Sequence, residues 1–216
     1  MSQVTDHGMT GGFHTAILKD VNQALVQRIC PELTAEDAQS IVDKPFDLMV
    51  DELAKPGQVM KDEITLGGFI DLLQICFSVI NRGNELDNIK KRIVYNKDLP
   101  LEPVLELPSR DGIGAAFDNL DADKMHLLHM AVGLAGEASE MLQQIVSHIL
   151  GAQLDGENVR EEAGDATFYT VGLLNGIQTS LGEALMANKA KLLGKRYKNG
   201  YSDAAAQERA DKPAGE

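Results

Sequence analysis

Cysteine is scarce in this chain of 216 residues: only Cys30 and Cys76 occur, far apart and each set in apolar sequence. That scarcity argues against a disulfide framework or a cysteine metal site, and for reduced thiols in a cytoplasmic compartment. Long apolar runs are missing too, since no stretch approaches the roughly 18 uninterrupted apolar residues of a membrane span. The opening MSQVTDHGMTGGFH lacks a basic region followed by an apolar run, so no secretory signal is expected. Positive charge is in short supply. The net charge of −13 speaks against nucleic-acid binding through a basic face, while a small phosphorylated ligand stays open because a metal ion can supply positive charge locally. What is present is ordinary for a globular protein, with 44% hydrophobic and 25% charged residues. These features predict a soluble cytoplasmic protein with neither nucleic acid nor membrane as partner.

The apolar spacing is helical nearly everywhere, and no alternating strand pattern stands out. FHTAILKDVNQALVQRI (13–29) repeats apolar residues every three or four positions, and TAEDAQSIV opens with Thr34 and Asp37 in capping-box spacing. A short helix is expected over 45–54, stopped by Pro56-Gly57. A strongly apolar helix follows over 67–83, ending at Gly83, then a polar one over 84–96. KDLPLEPVLELPSRDGIG is the best linker in the chain, with three prolines and two glycines. Helices resume over about 120–151, 157–177 and 181–197, the last opening with Ser180 and Glu183 as a second capping box. The fold class is all-α. The expected organisation is a helical region over 1–97, a linker over 98–114, a second helical domain over 115–205 and a mobile tail over 206–216. Asp71 and Asn81 have the spacing of Asp165 and Asn175, which raises a tandem duplication with a degenerate, structural first copy.

Chemistry concentrates in two acidic pairs. In GLAGEASEML (133–142), Glu137 and Glu140 interrupt an apolar stripe three residues apart, so both project to one side of a helix. In REEAGDATFYTVGLLNG (160–176), Glu162 and Asp165 repeat that spacing just before an apolar stretch, which puts Asp165 near the entry to a core. Gly151 and QLDGEN make a plausible hairpin turn between them. Glu140 lies about ten residues before that turn and Asp165 about nine after it, each roughly 15 Å along its helix. Four carboxylates can then meet at one level, where their mutual repulsion calls for divalent cations. All-oxygen ligation suits Mg²⁺ or Mn²⁺. A single Glu-x-x-Glu usually marks only a solvated helix face; two such pairs across a hairpin are more specific.

With GLAGEASEML followed by EEAGDATFYTVGLLNGIQTSLGEALMANKAKLLGKRY, the chain resembles the MazG-like all-α nucleoside triphosphate pyrophosphohydrolases, a superfamily that includes dimeric dUTPases and phosphoribosyl-ATP pyrophosphohydrolase. The likeness covers roughly residues 120–203. The family's Glu-x-x-Glu and Glu-x-x-Asp fall on Glu137, Glu140, Glu162 and Asp165, and its Asn-x-x-Lys and Arg-Tyr segment on Asn188, Lys191, Arg196 and Tyr197. Ser139 stands where many relatives carry glycine. The resemblance implies a four-helix-bundle-like domain that holds Mg²⁺ on the four carboxylates and cleaves an NTP or dNTP to NMP and pyrophosphate. It also implies a dimer or tetramer. Glu137 and Glu140 are the first candidates for the base that activates water, Lys191 and Arg196 for neutralising the leaving pyrophosphate, and Asn175 and Asn188 for contacting base or sugar. His126 and His129 share a helix face, but without a Glu-x-x-His pair they read as core-edge or pocket-lining residues. The alternatives are a narrower dUTP, dCTP or phosphoribosyl-ATP specificity, or a non-catalytic helical scaffold whose acidic cluster is vestigial.

Overall fold

The computed structural model describes residues 22–95, 103–198, 200 and 202–208. The glycine-rich stretch 7–14, the start of the 13–29 helix, residues 98–102 of the expected linker and most of the tail lie outside these residues. Among the described residues the chain is all-α, with no β-structure beyond an isolated bridge between Lys198 and Gly200. No described helix is long and apolar enough to cross a membrane. The chain divides into two compact units, Met1–Leu53 and Ala54–Glu216.

The first unit contains α1 (residues 22–29), α2 (Ala35–Asp43) and α3 (Phe46–Leu53). Thr34 and Asp37 close the expected capping box, each side chain bonding the other's backbone N–H. The Gln23 amide donates to the Ala35 carbonyl at 2.7 Å, which ties α1 to the start of α2. Ala38 and Val50 are buried here.

The second unit runs through α4 (Gly57–Glu63), α5 (Leu66–Tyr95), α6 (Arg110–Asp118), α7 (Ala122–Ile149), α8 (Gly156–Gly176) and α9 (Leu181–Lys191), then a π-helical turn (Leu192–Arg196) and α10 (Asp203–Glu208). Three features differ from the sequence expectation. Pro56-Gly57 starts a helix instead of only stopping one. A Cβ on Gly57 would stand 1.9 Å from the Ala122 carbonyl oxygen, so the glycine is where α4 touches the backbone of α7. Next, α5 runs unbroken through Gly83; one glycine costs a helix only about 1 kcal/mol, too little to stop it. Finally, the expected linker is already helical from Arg110, and its extended part is held down. The Asn81 amide donates to the Leu105 carbonyl at 3.0 Å and accepts from the Leu105 N–H at 2.8 Å.

One core cluster joins Phe69, Ile113, Leu120 and Met125, with Met60, Ile64 and Leu128 packed around it. It locks the start of α7 to α4, α5 and α6. From there α7 and α8 form an antiparallel hairpin. His126 Nε2 lies 3.0 Å from the Gly172 carbonyl across the seam, and Met130 and Val171 are buried. Gly151, with φ +105°, turns the chain between the two helices. The Ala152 N–H bonds the Ser147 carbonyl and the Gly151 N–H that of His148, a Schellman closure. The same pair of bonds ends α8, from Thr179 to Leu174 and Gln178 to Asn175, with Gln178 at φ 58° in the left-handed position. Ser180 and Glu183 form the second capping box, as expected. Cys30 and Cys76 are free thiols, both half-buried.

Candidate metal centre

The α7–α8 seam sets the site. A Cβ on Gly133 would stand 2.3 Å from the Tyr169 ring, so the missing side chain is what lets the two helices approach. Tyr169 is steadied by edge contacts to His129 and Phe168, at centroid distances of 5.9 and 5.5 Å. One turn beyond Gly133, Glu137 comes level with Glu162 and Asp165. Glu162 is seven residues, two helical turns, before Tyr169 and so shares its face. It is buried at 7% exposure. Asp165 lies about 60° around the helix from that line and is exposed. The carboxylate taken inside is therefore Glu162, not Asp165 as the apolar stretch after Asp165 led us to expect.

Carboxylate oxygens of Glu137, Glu162 and Asp165 all lie within 4.8 Å of one another. Two oxygens bound to one ion are separated by at most about 4.2 Å around Mg²⁺ and about 5.2 Å around Ca²⁺. Neighbouring ligands on one ion stand closer still, about 3 Å apart around Mg²⁺, so the three carboxylates would have to draw together to share a hard divalent cation. The donor set, oxygen only, matches such a cation and not a soft one. Burial raises the Glu137 carboxyl above its ordinary pKa, and a hydrogen bond with Glu162 and the charges of Glu162, Glu140 and Asp165 add to the effect. Arg160, the basic residue closest in sequence to Glu162, pairs instead with Glu157.

Glu140 stands outside this trio. The seam contacts place it level with about residues 158–162 of α8. It is exposed and reaches the site through its charge on Glu137. Asn175 lies ten residues past Asp165 on α8, about 15 Å along the axis, too far for the first shell of the same ion. Asn188 and Lys191 are exposed on α9, while Arg196 and Tyr197 are half-buried, with the Arg196 guanidinium 5.8 Å from the centre of the Tyr197 ring. The expected helix over 181–197 ends its regular α form at Lys191. The Tyr197 N–H then bonds the Leu192 carbonyl at 2.7 Å, so the widened π turn has Arg196 as its last residue and Tyr197 as its cap.

His126 anchors the seam. Burial, then the neighbouring His126 and Lys55, lowers the His129 pKa, and the half-buried ring packs beside Tyr169, a core-edge place. Sequence reasoning missed Asn158. It sits four residues before Glu162, one turn up the same helix face, and donates Nδ2–H to Glu162 Oε1 at 2.8 Å. The signal was available: Asp155 caps α8 by accepting from the Asn158 N–H, which fixes where that face begins. Comparisons of the chain with protein-family models, with curated proteins and with solved structures each found no match.

Proposed function

We propose that this protein is a Mg²⁺-dependent nucleotide pyrophosphohydrolase of MazG-like type, with Mn²⁺ able to substitute, that splits an NTP or dNTP into NMP and pyrophosphate. The observation that carries the reading is the convergence of Glu137, Glu162 and Asp165, with burial and three carboxylate neighbours raising the Glu137 pKa. Such a site holds stored repulsion that a cation and its phosphate ligand relieve. A bound cation would neutralise the triphosphate and acidify a water. Glu137, whose raised pKa brings it closer to neutrality, is the group on this chain best suited to take a proton from that water. Glu140 adds negative charge at the rim and remains the second candidate for that role. Lys191 and Arg196 are proposed to meet the departing pyrophosphate, Tyr197 to hold Arg196, and Asn175 and Asn188 to contact the nucleoside.

A homo-oligomer belongs to the same proposal. Ile75, Val79 and Ile80 of α5 and Val132 of α7 are all more than a third exposed along one apolar groove between those helices. Contiguous apolar surface of this kind marks an interaction face, and a second copy could cover it by packing α5 and α7 against their counterparts. Pyrophosphate release from a panel of NTPs and dNTPs tests the enzyme reading. Release should require Mg²⁺ and fall by at least a hundredfold in Glu162→Gln. No release from any nucleotide would instead favour a helical scaffold with a vestigial acidic cluster.

A further inference from the structure

We infer that α5 is a self-pairing helix: it packs antiparallel on α5 of a second copy of this chain, and the two cross at Gly83. The inference rests on the homo-oligomer proposed above and fixes its geometry. Leu72, Val79, Leu86 and Ile93 recur every seven residues along α5, and Ile75 and Ile89 fall three residues after the first and third of them. Apolar residues in that register form one stripe, the pattern by which a helix packs lengthwise on another. Ile75, Val79, Leu86, Ile89 and Ile93 are each at least 47% exposed, so the stripe is left uncovered.

Two further observations say what covers it. Gly83 lies on the stripe, four residues after Val79 and three before Leu86, yet no atom comes within 4 Å of the place its Cβ would take. Glycine disfavours a helix interior more than any residue but proline, and nothing in the subunit uses the space it leaves. A second helix crossing at close range does use it. Gly136 of α7, which lines the same groove as Val79 and Ile80, is equally open. The charges then set the direction. Asp71 is the only charged residue over 66–81, and Arg92 stands three heptads beyond it on the same flank of the stripe; both are exposed. Parallel pairing would set Asp71 against Asp71 and Arg92 against Arg92. Antiparallel pairing about Gly83 brings Asp71 within one turn of Arg92 of the second copy, and Leu72 level with its Ile93, at both ends of the helix pair.

The test is the mass of the full chain by sedimentation equilibrium, with thermal unfolding of the same samples. The wild type should be a dimer, and Gly83→Leu should raise its dissociation constant at least about tenfold, the effect of an overpacked contact. Leucine suits a helix better than glycine and meets no atom of its own chain at this position. Diluted to monomers, Gly83→Leu should therefore unfold no lower than the wild type; a lower midpoint would show the space to be filled from within the chain and overturn the crossing. Asp71→Arg and Arg92→Asp should each weaken the dimer several-fold, and the two together should restore it. No recovery in the double variant would overturn the antiparallel direction. A wild type that stays monomeric, or a dimer indifferent to Gly83→Leu, would overturn the inference as a whole. A monomer that releases pyrophosphate would sink this inference alone, and a dimer that releases none would sink only the enzyme reading.

Discussion

Adding one methyl group at Gly133 should push α7 and α8 apart. The Cβ would stand 2.3, 2.4 and 2.5 Å from three atoms of the Tyr169 ring, whereas carbon atoms rest about 3.5–4.0 Å apart. The helices must therefore separate by more than about 1 Å, because the ring is already held against His129 and Phe168. Overpacking of this kind costs about 1–3 kcal/mol, and replacing a helical glycine by alanine returns up to about 1 kcal/mol. Gly133→Ala should thus lose about 1–2 kcal/mol, a fall of roughly 2–8 °C in unfolding midpoint for a chain of this size. Glu137 is one turn further, about 6 Å along α7, so the same separation draws it away from Glu162 and weakens Mn²⁺ binding. Thermal unfolding and Mn²⁺ titration of Gly133→Ala, alone and with Tyr169→Leu, read both effects; removing the ring should recover most of the lost affinity. If Gly133→Ala instead gains about 1 kcal/mol with unchanged Mn²⁺ affinity, the close approach at this seam is refuted.

The site's pH dependence has a definite sign. Glu137 has a folded-state pKa raised above its ordinary 4.5, so its contribution to stability is fully present below 4.5 and lost as pH rises through the raised value. In urea unfolding without cation, Glu137→Gln should therefore be more stable than wild type at neutral pH, by a margin that shrinks on acidification; a growing margin contradicts the assignment. At the end of α8, Gln178 holds φ 58°, a conformation that costs a non-glycine residue about 1–2 kcal/mol. Gln178→Gly relieves that strain but adds unfolded-state entropy, for a net gain of about 0.5–1 kcal/mol in chemical denaturation. A loss of stability there would mean that the Gln178 side chain makes a compensating contact.

What could be read in the sequence was what short-range chemistry decides. Thr34 with Asp37 and Ser180 with Glu183 need only three residues of spacing and a free N–H, and both capping boxes form. The hairpin was legible because Gly151 marks its turn and helical rise is constant, so counting back from it to Glu140 and forward to Asp165 brings the two acidic pairs to about one level, and three of the four carboxylates do converge. That count could not resolve rotation about each axis. The close approach of Gly133 to Tyr169 decides it, leaving Glu140 outside the trio and burying Glu162 in preference to Asp165. Other errors share this origin in tertiary contact. Pro56-Gly57 reads as a stop until Gly57 is seen against the Ala122 carbonyl. The stretch before Arg110 reads as a free linker until Asn81 is found holding Leu105.

The π turn over Leu192–Arg196 bears on how this chain should be aligned with others. With the Tyr197 N–H reaching back five residues to Leu192, the turn takes up one residue more than an α-helix would. It is structurally equivalent to a single-residue insertion. A homologue with a regular helix here would carry its counterpart of the Arg196-Tyr197 pair one position earlier, counted from Ser180. Matching the two without a one-residue gap would put Lys195 and Arg196 in the wrong places, and an arginine kept in the same position in space would look like a substitution.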